Sequence, residues 1–301
     1  MIHRLIRPLM VALAIIALAR VRQFQFTDGH VRLTGVDLGT AAPDGPARIV
    51  SISTVATEIL FAIGASDRVV AVDSQSNHPT EAPITDLSGF EPNVEAILGF
   101  QPDLVILSYD PGDVVASLEA AGVATLLQGA AYTIADTYSQ IEALGAATGD
   151  EDAADALVLD MRAEIADLVE SVEPREEPLS YYHELDDTLY TVTSSTFIGE
   201  VYTLAGLVNA ADPADADGSA WGYPQLSAEY LLDADPDLIF LADTRCCAQD
   251  AETVAARPGW ESLTAVETGR IVELDDDVAS RWGPRIVDFL RAIVNAVNAI
   301  D

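Results

Sequence analysis

Short apolar runs alternate along this chain with stretches whose apolar positions recur every three or four residues. Arg48-Ile-Val-Ser-Ile-Ser53, Val69-Val-Ala-Val-Asp73, Leu104 to Ser108 and Ala124-Thr-Leu-Leu127 read as strands covered on both faces. Between and after them, Thr57 to Gly64, Val94 to Phe100, Val114 to Ala121 and Ile134 to Thr148 carry helical spacing, with Gly64 closing the first. Leu238 to Leu241 and Arg270 to Leu274 continue the strand pattern in the second half. Strands that alternate with helices predict parallel βαβ units. A short β segment and a lead-in containing Pro43, Gly45 and Pro46 precede the first of them.

Glu151 to Val172 breaks the alternation. It holds neither Gly nor Pro, and Ala154, Leu157, Leu159, Met161, Ile165, Leu168 and Val169 give it a helical apolar face before Glu173-Pro174 ends it. The halves on either side repeat. Glu95-Ala-Ile-Leu-Gly-Phe-Gln-Pro-Asp-Leu-Val-Ile-Leu107 aligns without a gap to Glu229-Tyr-Leu-Leu-Asp-Ala-Asp-Pro-Asp-Leu-Ile-Phe-Leu241, an offset of 134 residues (229 − 95). Glu58 precedes Gly64 by six positions, as Glu200 precedes Gly206. The predicted fold class is α/β: two α/β lobes of similar topology with central, mainly parallel sheets, joined by one long α-helix. The expected spans are 1–22 for a signal peptide or N-terminal anchor, 23–150 for the N-terminal lobe, 151–173 for the bridging helix and 174–301 for the C-terminal lobe.

Composition narrows the function. With 301 residues and half of them hydrophobic, the chain can build a large core. Against 49 Asp+Glu stand 15 basic residues, all of them Arg, for a net charge of −34. Such a surface repels phosphate backbones, so no nucleic-acid partner is expected. It also repels itself, a charge that salt would screen, which suits a salt-adapted or high-GC source or else simply an acidic protein. Arg4 and Arg7 precede an apolar stretch from Leu9 to Ala19 that is short for a bilayer span. A basic start, a short apolar run and small residues at Ala17 and Ala19 fit an export signal.

The residues around Arg48-Ile-Val-Ser, Thr57-Glu-Ile-Leu-Phe-Ala-Ile-Gly64, Gly89-Phe-Glu-Pro-Asn-Val-Glu95, Pro102-Asp-Leu-Val-Ile106, Tyr223-Pro-Gln-Leu-Ser-Ala-Glu229, Pro236-Asp-Leu-Ile239, Arg257-Pro-Gly-Trp260 and Pro284-Arg285 resemble the periplasmic-binding family for iron–siderophore complexes and cobalamin. The resemblance spans roughly residues 27–300. It implies two lobes bridged by one rigid helix, an exported and monomeric protein, and a bulky ligand (a corrinoid or a ferric chelate) held between the lobes. It also implies a partner, an ABC permease with its ATPase, whose arginines dock on one glutamate per lobe. Glu95 and Glu229 match those positions; each is equally a first-turn glutamate favoured by a helix dipole.

Ligands of open α/β sheets sit beyond the carboxyl ends of strands. On that rule the candidate ligand-binding residues are Tyr109, Tyr182, His183, Asp277 and Trp282; Phe90, Trp221 and Tyr223, in loops just before the two docking helices, join them. Their aromatic rings suit a broad ligand, or else pack the core. His78, in the run Asp73 to His78, is a further candidate, and Arg245 and Arg281 could meet an anionic chelate. By the resemblance, Asp277 takes the place of a cleft aspartate seven residues before the Pro-Arg pair; otherwise Asp275 to Asp277 form a solvated acidic loop. Cys246 and Cys247 are adjacent, so their Cα atoms stand about 3.8 Å apart, below the usual disulfide range. A strained vicinal disulfide is the expectation for an exported chain, with two reduced thiols the alternative. Histidines are too few for a metal site built from side chains alone, and no cofactor is called for. Nucleophile-elbow, P-loop and zincin motifs are missing. The competing readings are a chelatase- or nitrogenase-like two-lobed enzyme and a surface sensor without a transporter.

Overall fold

The computed structural model describes residues 31–34 and 45–300. The expected leader over residues 1–22, most of the lead-in, and His3 and His30 lie outside the described residues. The first half runs β1 (Val31–Thr34), β2 (Ile49–Ile52), α1 (Thr54–Ala62), β3 (Val69–Asp73), β4 (Ile84–Leu87), α2 (Val94–Gly99), β5 (Leu104–Leu107), α3 (Val114–Ala120), β6 (Ala124–Gln128) and α4 (Ile134–Thr148). Helix α5 (Glu151–Glu170) follows. The second half runs β7 (Ser180–Glu184), α6 (Phe197–Leu204), β8 (Val208–Asn209), α7 (Ala228–Ala234), β9 (Leu238–Leu241), α8 (Ala251–Ala255), α9 (Thr264–Glu267), β10 (Ile271–Glu273), α10 (Asp276–Ser280) and α11 (Ile286–Asn298).

Two sheets result. The first has the order β1-β6-β5-β2-β3-β4 and the second β10-β9-β7-β8. All pairings are parallel except that of β1 with β6. Strands β6-β5-β2-β3 therefore correspond in order to β10-β9-β7-β8. The 134-residue offset carries Leu104–Leu107 of β5 onto Leu238–Leu241 of β9. Strands β2, β5 and β9 are buried along their whole length, as apolar strands covered on both faces should be.

Helix starts repeat as well. Ser53 and Thr196 cap α1 and α6, while Asn93 and Ser227, again 134 apart, cap α2 and α7 through their side-chain oxygens. The glycines that close α1 and α6, Gly64 and Gly206, adopt φ values of 81° and 75°.

Helix α5 has 20 residues, about 30 Å of helix, and stops two residues short of Val172. Ala154, Val158, Met161 and Ile165 form its buried stripe, whereas Leu159 is 67% exposed. The helix packs on α4 of the first lobe and α11 of the second. A Cβ on Gly145 would lie 2.4 Å from that of Ala154, so glycine sets the close approach of α4 and α5. One apolar cluster contains α5 together with residues of α1, α4, α6 and α11. Two separate clusters fill the outer side of each sheet, under α2 and α3 in one lobe and around Trp260 in the other. The lobes thus share their inner core and keep their outer cores apart. Among the described residues no helix is long and apolar enough to cross a membrane.

Candidate functional site

In each parallel sheet the chain leaves a strand at its carboxyl end and returns through a helix. Those strand-to-helix connections carry the exposed aromatic side chains. Phe90 follows β4, Tyr109 follows β5, Tyr132 follows β6, and Trp221 and Tyr223 follow β8. Trp221 is 87% exposed and Phe90 78%. Burial, and then Tyr132 of the other lobe, raise the Tyr223 phenol above its ordinary range.

Trp221 is held in an unusual backbone state, with φ at 57°, a region bulky residues seldom occupy. The buried Asp215 carboxylate clamps the chain on both sides of it, accepting from the amides of Ala220 and Gly222, each at 2.7 Å. Thr193 N donates to Gly222 O at 2.8 Å, which ties the segment to the loop after β7. A Cβ at Gly222 would lie 2.6 Å from Thr196 Cγ2, so no larger residue fits there.

Between the lobes lies a polar network. Asp277 accepts from Asn77 Nδ2 at 2.8 Å and from Arg281 Nη2 at 2.7 Å, with Arg245 Nη1 at 3.5 Å. Arg281 also donates to Asn77 Oδ1, Gln75 O and Glu58 Oε1, at 2.9, 3.1 and 3.0 Å. Arg285 makes a two-point contact with the same Glu58, Nε to Oε2 at 2.9 Å and Nη2 to Oε1 at 2.6 Å. Asp73 stands at the end of β3 and accepts from Gln75 N and Ser76 Oγ; burial nonetheless raises its carboxyl. His78 is exposed beside Asn77.

The acidic run is not a solvated loop. Asp275 caps α10, Asp276 accepts from Thr244 Oγ1 and from the amides of Arg245 and Cys246, and Asp277 crosses the lobes.

Three expectations are corrected. Tyr182 and His183 are 0% exposed because they lie within β7 rather than in a loop beyond it. Tyr182 packs edge-on to Trp260 in the outer core. His183 points the other way, with Nδ1 2.8 Å from Tyr202 Oη, and burial pushes its imidazole down to about 3, so the ring is neutral. Cys246 and Cys247 are free thiols, the first exposed and the second half-buried. The amides of Arg245 and Cys246 are spent on Asp276, which curls this loop. Desolvation, the Cys247 thiol and nearby carboxylates push the Cys246 thiol up to about 12, against the reactive thiolate. Trp282 is partly buried on the shared core, its indole donating to Gln140 Oε1 at 3.1 Å.

Behind the second sheet's carboxyl edge, Glu184 and Asp243 are wholly buried. Arg257 forks Glu184 with two contacts of 2.6 Å. Sequence reasoning placed Glu184 at the cleft but missed its pairing with Asp243 and Arg257, and it missed Tyr132. The signal for Tyr132 was an aromatic directly before the Thr133 cap of α4. Among the described residues no group of three or more metal-ligating side chains is assembled.

Glu95 and Glu229 are exposed, each in the first turn of its helix. Because α2 and α7 return the chain between parallel strands, their first turns lie at the same end as the strand carboxyl termini.

These features define a two-lobed α/β binding protein with an inter-lobe site. A family model described as periplasmic binding protein matches residues 49–278, and the chain belongs to that family. It is 30% identical over 261 residues to an uncharacterised ABC transporter substrate-binding lipoprotein of Bacillus subtilis, covering 84% of this chain and 80% of that one. It is 30% identical over 286 residues to a cobalamin-binding protein of Halobacterium salinarum, covering 92% and 75%. The crystal structure of a periplasmic haem-binding protein from Pseudomonas aeruginosa superposes with a TM-score of 0.71 at 26% identity, covering 85% and 94%. Members of the family are binding proteins rather than enzymes.

Proposed function

We propose that this chain is the exported, monomeric receptor of an ABC importer, that it performs no catalysis, and that it carries a cobalamin-type corrinoid or a ferric siderophore chelate to its permease. The observation that carries this reading is the display of Phe90, Tyr109 and Tyr132 on one lobe opposite Trp221 and Tyr223 on the other, all beyond strand carboxyl ends. Flat rings offer large contact area at small entropic cost, which suits a wide planar or bulky ligand. The strained display of Trp221 supports a binding role, since backbone strain of this kind collects at functional positions. The cobalamin-binding relative supports the corrinoid within that class. Asp277, if it turns from Asn77, can accept from ligand amides. Glu95 and Glu229 are the permease-docking pair in this reading, one on each lobe.

Titration with cyanocobalamin, a panel of ferric siderophores and haem tests it. Tryptophan emission should quench at a one-to-one ratio with one of the first two classes, and Trp221→Phe should remove most of the signal. Haem alone binding would move the ligand class to porphyrins. Silence toward all three, with tight binding of an amino acid or sugar, would refute the bulky-ligand reading.

A further inference from the structure

The internal repeat places a glutamate six residues before the glycine that closes the first helix of each lobe, Glu58 before Gly64 in α1 and Glu200 before Gly206 in α6. Neither belongs to the exposed aromatic walls. Both cross to the other lobe, and both reach the same feature there. Helices α4 and α11 correspond, since each is the long helix that follows the last strand, in chain order, of its sheet, and β6 and β10 hold equivalent places beside β5 and β9.

Glu58 of the first lobe meets the start of α11, where Arg285 is the N-cap residue and Arg281 lies four positions earlier. Glu200 of the second lobe meets the start of α4, accepting from Ile134 N at 2.8 Å. That amide is available because local capping serves others: Thr133 Oγ1 accepts from Asp136 N, and the Asp136 carboxylate accepts from the amides of Tyr132 and Thr133. A negative charge at this end is also favoured by the helix dipole.

The two contacts differ in depth. The Glu58 side chain is 2% exposed and holds two guanidinium groups, with the loop Arg281 to Arg285 wrapped round it. A Cβ at Gly283 would sit 3.3 Å from Glu58 Oε2. Glu200 is half-buried. Each contact adjoins the cleft. Arg281 joins Glu58 to Asn77 and Asp277 at its floor, and Ile134 is two residues from Tyr132 on its wall.

We propose that Glu58 and Glu200 are a repeat-related pair of positioning residues, each carried on the first helix of one lobe and set on the start of the last helix of the other, which fix the separation of the two cleft walls. The purpose of this device rests on the receptor reading; its geometry does not. With both contacts made, the free protein already holds the binding arrangement. With one lost, the lobes sample wider separations, and apparent affinity falls with the share of competent molecules.

The test measures the lobe separation without ligand. Nitroxides are placed at Ser117→Cys on α3 and Glu267→Cys on α9, both exposed, in a Cys246→Ser/Cys247→Ser background, and their distance distribution is read by pulsed electron resonance. The parent and Glu200→Gln, which keeps an accepting oxygen, should give one narrow distribution. Glu200→Ala and Glu58→Gln should broaden it toward longer distances. If the competent share falls to about a tenth, cyanocobalamin affinity falls about tenfold. Glu58→Gln removes the buried charge that Arg281 and Arg285 share and can unfold the chain, so Glu200→Ala decides. An unchanged distribution in folded Glu200→Ala overturns the pair. If unlabelled parent fails to bind cyanocobalamin, that ligand is excluded while the distance measurement still judges the inference.

Discussion

Asp243 shows what a single buried side chain contributes. No N–H or hydroxyl donor among the described residues reaches its two carboxyl oxygens, and it faces Glu184, which already takes both contacts of Arg257. Tyr182, hydrogen-bonded to Glu184, and the Cys246 thiol complete the surroundings. One guanidinium cannot neutralise two buried carboxylates. Burial first, and then Glu184, hold the Asp243 carboxyl up to about 7, so it keeps a proton that a solvated aspartate releases near 3.8. The sign follows. Between about pH 4 and 7 the folded chain binds more protons than the unfolded one, so this site's contribution falls as pH rises and stays low above 7. Asp243→Asn carries a permanent donor in place of that proton. Relative to wild type it should gain on the order of 1–4 kcal/mol between pH 4 and pH 8 in urea unfolding. The same difference at both pH values would mean that Asp243 is ionised throughout.

Helices α2 and α7 carry the two exposed glutamates. At 6 and 7 residues they are too short to form alone. A side-chain cap and one buried residue each, Ile97 and Leu231, hold them in place. Glu95 and Glu229 spend nothing on this packing. Removing them should cost only the helix-dipole term, about 0.3–1 kcal/mol apiece. Glu95→Ala/Glu229→Ala is therefore expected to keep ligand affinity within about twofold while losing uptake and receptor-stimulated ATP hydrolysis in vesicles carrying the cognate permease. A double variant that stops binding ligand yet still supports uptake would reverse the docking assignment.

At the scale of the whole molecule, charge and core pull against each other. The chain carries a net charge of −34, which destabilises any compact state through self-repulsion. The shared apolar core around α5 opposes that, as do the buried arginine pairs between lobes. Salt screens the surface repulsion far more than the buried pairs, and the screening length falls from about 10 Å at 0.1 M to about 3 Å at 1 M. The melting temperature should therefore climb with sodium chloride over that range. A flat or falling curve would show that the surface charges are already paired.

Local pattern determined the apolar strands β2, β3, β5, β6, β9 and β10, the long helix and the 134-residue repeat, because covered strands and one-sided helices write their burial into consecutive residues, but it did not determine β4 or β8. It also determined that Glu95 and Glu229 occupy equivalent first turns. Ser180-Tyr-Tyr-His-Glu184 escaped because β7 has no apolar run. Tyr202, Phe289 and Trp260, distant in the chain, cover its two faces, and they turned the expected ligand residues Tyr182 and His183 into core. Trp282 and Asp277 were likewise drawn into contacts with Gln140 and Asn77 on the other lobe. The cross-lobe use of Glu58 and Glu200 was equally beyond local reading, although their spacing was plain. A carboxylate shows its position to the sequence, but its partner is chosen only when packing brings two distant helices together.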